Sequence, residues 1–291
     1  MAELHTAIQL EGIARTMRRE TVELCYRSPA HKAHLGGCLS AIEILTALYT
    51  DVMNTGIGQT GEAWRRRDRF VLSKAHASLA LYAALHQAGF LSDDEFALPV
   101  CGEDTLLFRQ ARRDLAHGME ISGGSLGMGM GYACGLALAQ RRRGQDSRVF
   151  VLLGDGECNE GSVWESVAFA AHNRLTNLVA IVDANGLQLD GPIEKVLGGD
   201  NHAERWTSFG FDAIEAEGND AAAVRDALLA ARDSDSPRPR VVIARTAKGR
   251  GVSFAENHVE WHDNSLTDDL YRQAITELSD AAFETRGGDE R

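Results

Sequence analysis

The chain has no continuous apolar run approaching the roughly 18 residues a membrane span needs. Met1 to Glu20 carries charge throughout and holds no apolar core of the kind an export signal requires. A soluble protein retained in the cytoplasm is therefore expected. Proline is scarce, 5 among 291 residues, and the 29 glycines are spread among turns. No Ser/Pro/Gly-rich stretch, repeat or low-complexity segment marks a linker, so residues 1–291 are expected to form one domain around a large core. The five cysteines, Cys25, Cys38, Cys101, Cys134 and Cys158, are odd in number and contain no Cys-x-x-Cys pair. That argues against a disulfide framework and a zinc site, and it fits a reducing compartment. Basic residues are outnumbered, 30 Lys and Arg against 42 Asp and Glu, and the net charge of −12 argues against nucleic acid or an anionic membrane as partner. The short clusters Arg65-Arg66-Arg67 and Arg141-Arg142-Arg143 read as solvated loop and helix-end charge. Attraction of a phosphorylated substrate is their second possible use.

What is present concentrates mid-chain. Arg148 to Leu153 is an apolar run that enters Gly154-Asp155-Gly156-Glu157, and a second run, Asn177 to Val182, leads into Asp183-Ala184-Asn185-Gly186-Leu187. Between them Val163, Val167, Ala170 and Ala171 recur at helical spacing, so strand, turn, helix and strand form one βαβ unit. A right-handed crossover sets the two strand ends side by side, where open α/β sheets bind ligands. Asp155 and Asn185 are hard oxygen donors of the kind Mg²⁺ takes when phosphate and water complete its shell. Gly-Asp-Gly alone also reads as a tight turn with an aspartate capping the next helix. The second strand end favours the phosphate site.

Elsewhere the pattern predicts a helix through about Arg27, a loop holding His34, and a helix from about Leu39 to Val52. A strand at Arg69 to Leu72 precedes a helix at His76, and Gly123 to Gly135 leads into a helix ending near the arginine triplet. Asp212 to Ala216 and Arg240 to Arg245 read as strands around a helix from Ala221 to Arg232, Leu266 to Leu278 as a helix, and the last dozen residues as a polar tail. Helices alternating with apolar strands predict an α/β fold, a mostly parallel, doubly wound sheet flanked by helices. The order Gly127-Met-Gly129-Met-Gly131-Tyr-Ala-Cys-Gly135 does not give Gly-x-Gly-x-x-Gly, so nicotinamide binding is not expected.

Five blocks carry a resemblance. Ala33-His34-Leu35-Gly36-Gly37, Asp68 to Ser78 with Ser73-Lys74-Ala75-His76 at its centre, Gly118 to Gly127, the pair around Gly154-Asp155-Gly156 and Asn185, and Thr246 to Phe254 with Trp261-His262 follow one another as in thiamine-diphosphate enzymes of the transketolase form. The chain resembles the diphosphate-binding half of that family over nearly its whole length. The resemblance implies a thiamine-diphosphate-binding fold, thiamine diphosphate and Mg²⁺ as cofactors, and transfer of a two-carbon ketol unit from a ketose or ketose phosphate to an aldose. It assigns Asp155, Asn185 and the main-chain carbonyl of Leu187 to the metal. It sets His76, Gly124, Ser125, Leu126, Gly154, Asp155, Gly156, Glu157, Asn185 and His262 around the cofactor. His34, His76 and His262 face diphosphate or sugar oxygens, and Glu160 meets the neighbouring thiamine-binding half; these four are the candidate catalytic residues. By itself Glu160 reads as an acidic residue favoured at a helix start.

One position departs from the family. A histidine usual eight residues before the Gly118 block is replaced by Gln110, with His117 nearby at another offset. That leaves donor specificity open and keeps a thiamine enzyme acting on a 2-oxo acid or a specialised sugar as an alternative, beside a non-catalytic regulatory paralogue. The family's activating glutamate and pyrimidine pocket belong to a second domain, and the resemblance does not extend that far here. A separate C-terminal transketolase subunit supplying that glutamate is therefore expected, in an assembly of two copies of each chain.

Overall fold

A computed structural model describes residues 4–199 and 201–279; the tail expected over the last dozen residues lies outside them. The first helix, Ala7–Arg27, starts where Thr6 and Gln9 cap each other's backbone amides. Among the described residues seven strands follow: β1 (Lys32–Ala33), β2 (Arg69–Leu72), β3 (Val149–Gly154), β4 (Leu178–Ala184), β5 (Asp212–Glu217), β6 (Arg240–Arg245) and β7 (Asn264–Ser265). Five of them make a wholly parallel sheet in the order β2-β3-β4-β6-β5. Continuous burial of β3 and β4 explains why they read as unbroken apolar runs.

Alternate strand residues feed two cores. Phe150, Leu152, Val179, Ile181 and Val242 pack with the helices Ala7–Arg27, Ser78–Gln87 and Ala221–Arg232. Val149, Val151, Leu153, Ala180 and Val241 pack with Met128–Arg142 and Gly161–His172 on the other face. Helices on both faces make the sheet doubly wound.

Register then fixes the site. Gly154 lies opposite Asp183, and Asp183 opposite Ala244, so the segments after β2, β3, β4 and β6 emerge along one edge. Separately, β1 pairs antiparallel with β7, Ala33 opposite Asn264, which draws His34 to His262 across the length of the chain.

The helix expected from Leu39 to Val52 differs in detail. It begins at Leu35, is interrupted at Ser40 and Ala41, and ends in a π-turn over Leu48–Val52. The interruption coincides with Ser40 turning its hydroxyl to Asp183, 2.6 Å away. Leu35–Val52 also has the length and mean hydropathy, 1.3, of a membrane span, although no stretch was expected to approach one; 83% of it is buried inside the fold. A largely apolar, buried segment of this kind is what a core position requires.

Close approach explains one glycine of the rich stretch. A Cβ built on Gly129 would lie 2.6 Å from the Cα of Ser73, so the helix can cross the end of β2 only with glycine there. Gly129→Ala is expected to cost about 2–3 kcal/mol in urea unfolding through overpacking against backbone. That loss outweighs the gain of up to about 1 kcal/mol in helix propensity. A neutral result would show that the crossing is loose.

Candidate active site

Asp155 leaves β3 nearly buried, 3% exposed, with one carboxylate oxygen accepting from the amide of Gly156 at 2.7 Å and the other from the amide of Gly186 at 2.5 Å. The second bond crosses to the loop after β4 and so locks the two strand ends together. Asn185 Oδ1 accepts from the Leu187 amide at 3.1 Å, bending the loop after β4, and the Gly186–Asp155 bond sets that bend beside the end of β3. Burial, and then the neighbouring charge of Asp183, push the Asp155 carboxyl up to about 6. The amides of Gly186 and Gly156 and the charge of Lys74 act in the opposite direction, but burial prevails.

Beneath this edge lies a buried hub that the sequence did not reveal. Asp183 accepts hydrogen bonds from Lys74 Nζ, from Ser40 Oγ at 2.6 Å and from Thr246 Oγ1. Lys74 also donates to the carbonyl of Gly37 at 2.9 Å, and both charged side chains are fully buried. Four segments remote in sequence meet there. Lys74 and Thr246 stood inside the matched blocks, and Asp183 at the end of an apolar run. Of the three only Asp183 lies within a strand, and no sequence pattern pairs it with the other two.

The three histidines converge. Ring centroids of His34, His76 and His262 lie 5.6, 5.5 and 5.4 Å apart, a nearly equilateral triangle. Gly37 makes this possible, since a Cβ there would stand 2.9 Å from the His76 ring. Burial lowers all three rings below the ordinary imidazole range, His262 to about 4, so they are neutral at physiological pH. Lys248, held by burial at about 8, donates to the Leu187 carbonyl at 3.1 Å and meets His262 Nδ1 at 2.8 Å. With Nδ1 accepting from the ammonium, the imidazole proton resides on Nε2. Lys248 thus ties the aspartate edge to the histidine triangle, a role its sequence position does not suggest.

The remaining expected residues are placed less uniformly. Glu157 is buried and turned inward, accepting from Ser73 Oγ at 2.5 Å, the Gly127 amide at 2.8 Å and the Gly154 amide at 3.1 Å. It braces the strand end against the glycine-rich loop, with all three donors coming from protein. Gly124, Ser125 and Leu126 form the exposed part of that loop. Glu160 is exposed at the start of Gly161–His172, packed beside Gly127. Gln110 covers Gly124, its Oε1 2.6 Å from where a Cβ would be. His117 has not taken the place of Gln110, because its ring nitrogens bond Asp114 and Glu95 at 2.8 and 3.2 Å.

The family described as "Transketolase, thiamine diphosphate binding domain" matches residues 13–284. The chain belongs to the transketolase family. Among its transketolase relatives, an apulose-4-phosphate transketolase subunit of Phocaeicola vulgatus is 36% identical over 90% of this chain and 91% of its own length. A 6-deoxy-6-sulfo-D-fructose transketolase subunit of a Clostridium species is 32% identical over 93% of this chain and 96% of its own. The solved transketolase of Campylobacter jejuni superposes with a TM-score of 0.82 at 26% identity, covering 92% of this chain. This chain spans 42% of that transketolase.

Proposed function

We propose that the chain is the diphosphate-binding subunit of a two-chain, cytoplasmic transketolase that moves a two-carbon ketol unit from a ketose donor to an aldose acceptor. The observation that carries this reading is the link through Lys248 between the Asp155 edge and the neutral histidine triangle. One end suits a metal-bound diphosphate and the other suits sugar oxygens.

The residues fit the cofactor. Asp155, Asn185 and the carbonyl of Leu187 would hold Mg²⁺, and the poorly compensated charge of Asp155 supports a cation there. Thiamine diphosphate, when bound, supplies the electron sink for cleaving the carbon–carbon bond. The chain's own work is to orient and to donate. Its backbone amides and Lys248 set the loop, and neutral imidazoles donate or accept hydrogen bonds at sugar hydroxyl and carbonyl oxygens without adding charge.

The activating glutamate would come from a separate C-terminal subunit, in an assembly of two copies of each chain. Relatives of similar length that are themselves named as transketolase subunits support a partner. Gln110 at the rim, together with relatives named for apulose 4-phosphate and a sulfonated fructose, favours a specialised sugar over a general pentose substrate. With thiamine diphosphate and Mg²⁺ alone the chain is expected to show no ketol transfer, and adding the partner should restore it. Robust turnover by the isolated chain would overturn the two-chain reading.

A further inference from the structure

The connection between β2 and β3 carries a basic loop beside the histidine triangle, less conspicuous in sequence than the arginine triplets. Phe108 is anchored at both backbone groups by Tyr82 Oη, at 3.0 and 3.1 Å, and Ala111 by Ser78 Oγ at 2.7 Å. The loop runs alongside the glycine-rich segment, with Arg113 N on Ser122 Oγ at 2.9 Å and Gly123 N on Ala111 O at 3.3 Å. It presents Arg109, and then the exposed Arg112 and Arg113. Arg109 is the one that reaches the triangle. Its Nη2 donates to Asp263 Oδ1 at 2.7 Å, and Lys32 Nζ meets the other oxygen of Asp263 at 3.2 Å. Asp263 follows His262 directly, and Lys32 stands two residues before His34. Arg109, Lys32 and Asp263 all act electrostatically on the His34 ring.

Two cations share one carboxylate here, in a chain whose net charge is −12. The Arg109 side chain is only 36% exposed, and its Nε is buried without a hydrogen-bond acceptor. A guanidinium has five N–H donors in a planar fork that matches phosphate, sulfonate and carboxylate groups. Asp263 fixes the fork by one arm and leaves donors for a ligand. We propose that Arg109, held by Asp263 and flanked by Lys32, is a specificity-determining residue that binds an oxyanion group of the sugar substrate at the rim of the histidine triangle. This rests on the transketolase reading above and deepens it.

The test uses the copurified two-chain enzyme, with glycolaldehyde as a neutral acceptor and ketoses assayed in pairs, each with and without its terminal phosphate. In Arg109→Gln the ratio of kcat/KM for the phosphorylated over the plain ketose is expected to fall at least about tenfold, mainly through KM, as loss of a charge-assisted hydrogen bond implies. Arg109→Lys, which keeps charge without the fork, should fall in between. If both donors lose activity equally and the ratio holds, Arg109 is a structural strut and the proposal is overturned. Unchanged kinetics overturn it as well. Calorimetric binding of thiamine diphosphate to Arg109→Gln shows whether the cofactor site stays intact, since a strut would disturb it and a substrate-binding residue would not. Absence of turnover by the unmodified pair with every ketose would overturn the transketolase reading itself, and this inference with it.

Discussion

Asp155→Asn is expected to weaken Mg²⁺-dependent binding of thiamine diphosphate to the copurified enzyme by at least about 100-fold. Groups that only support metal ligands already contribute about 10–100-fold, and Asp155 is proposed as a ligand. The same substitution should leave the isolated chain no less stable at pH 8. Raising a buried carboxyl from 3.8 to about 6 means that ionising it in the folded state costs about 3 kcal/mol. Between those values the folded chain holds a proton that the unfolded chain has released, so stability falls as pH rises through that window. Asparagine removes the charge and loses one of two backbone hydrogen bonds, which contributes about 1 kcal/mol. A net gain of about 1–2 kcal/mol at pH 8 should therefore disappear near pH 4. Urea unfolding of the apo chain at both pH values, beside calorimetry of the assembled enzyme, reads the two effects. A variant that binds cofactor normally would remove Asp155 from the metal shell.

Lys74→Met should destabilise the fold strongly. It leaves Asp183 buried with the Ser40 and Thr246 hydroxyls as its side-chain hydrogen-bond donors and the charge of Lys248 without a direct bond. Removing one member of a buried ion pair costs about 3–5 kcal/mol, a large share of the 5–15 kcal/mol typical of a domain. Neutralising the survivor should recover much of it, so Lys74→Met combined with Asp183→Asn is expected to be more stable than Lys74→Met alone. The urea midpoints of the two single variants and the double variant decide this. Additive losses would mean that the two groups do not depend on each other.

Much of the architecture was legible because it is written locally. Val149 to Leu153 and Leu178 to Val182 are buried on both faces and therefore apolar throughout, and the helix between them shows its period in Val163, Val167 and Ala170. The site was legible where a block of residues resembled a family. What escaped depends on partners far away in sequence. Lys74 meets Asp183 at a separation of 109 residues, and Arg109 meets Asp263 at 154. No periodicity marks such pairs, because strand register and the short β1–β7 ladder bring them together. Glu157 shows the opposite difficulty. Its place in the Gly-Asp-Gly-Glu block suggested the cofactor, but three protein donors surround its carboxylate. Helix interruption at Ser40 likewise coincides with a tertiary hydrogen bond, which propensity cannot report.

The connection from β2 to β3 is far longer than the others, occupying residues 73–148, whereas residues 155–177 suffice between β3 and β4. Its outer part, with Arg109 and Gln110, is pinned to the scaffold chiefly by Tyr82 and Ser78. The side-chain hydrogen bonds of those two residues go to Ala75, Phe108 and Ala111, not to Asp155, Asn185 or Asp183. Under the proposed function, substitutions in the outer loop would change which sugar is bound without moving Asp155 or Asn185, the residues proposed to hold the metal.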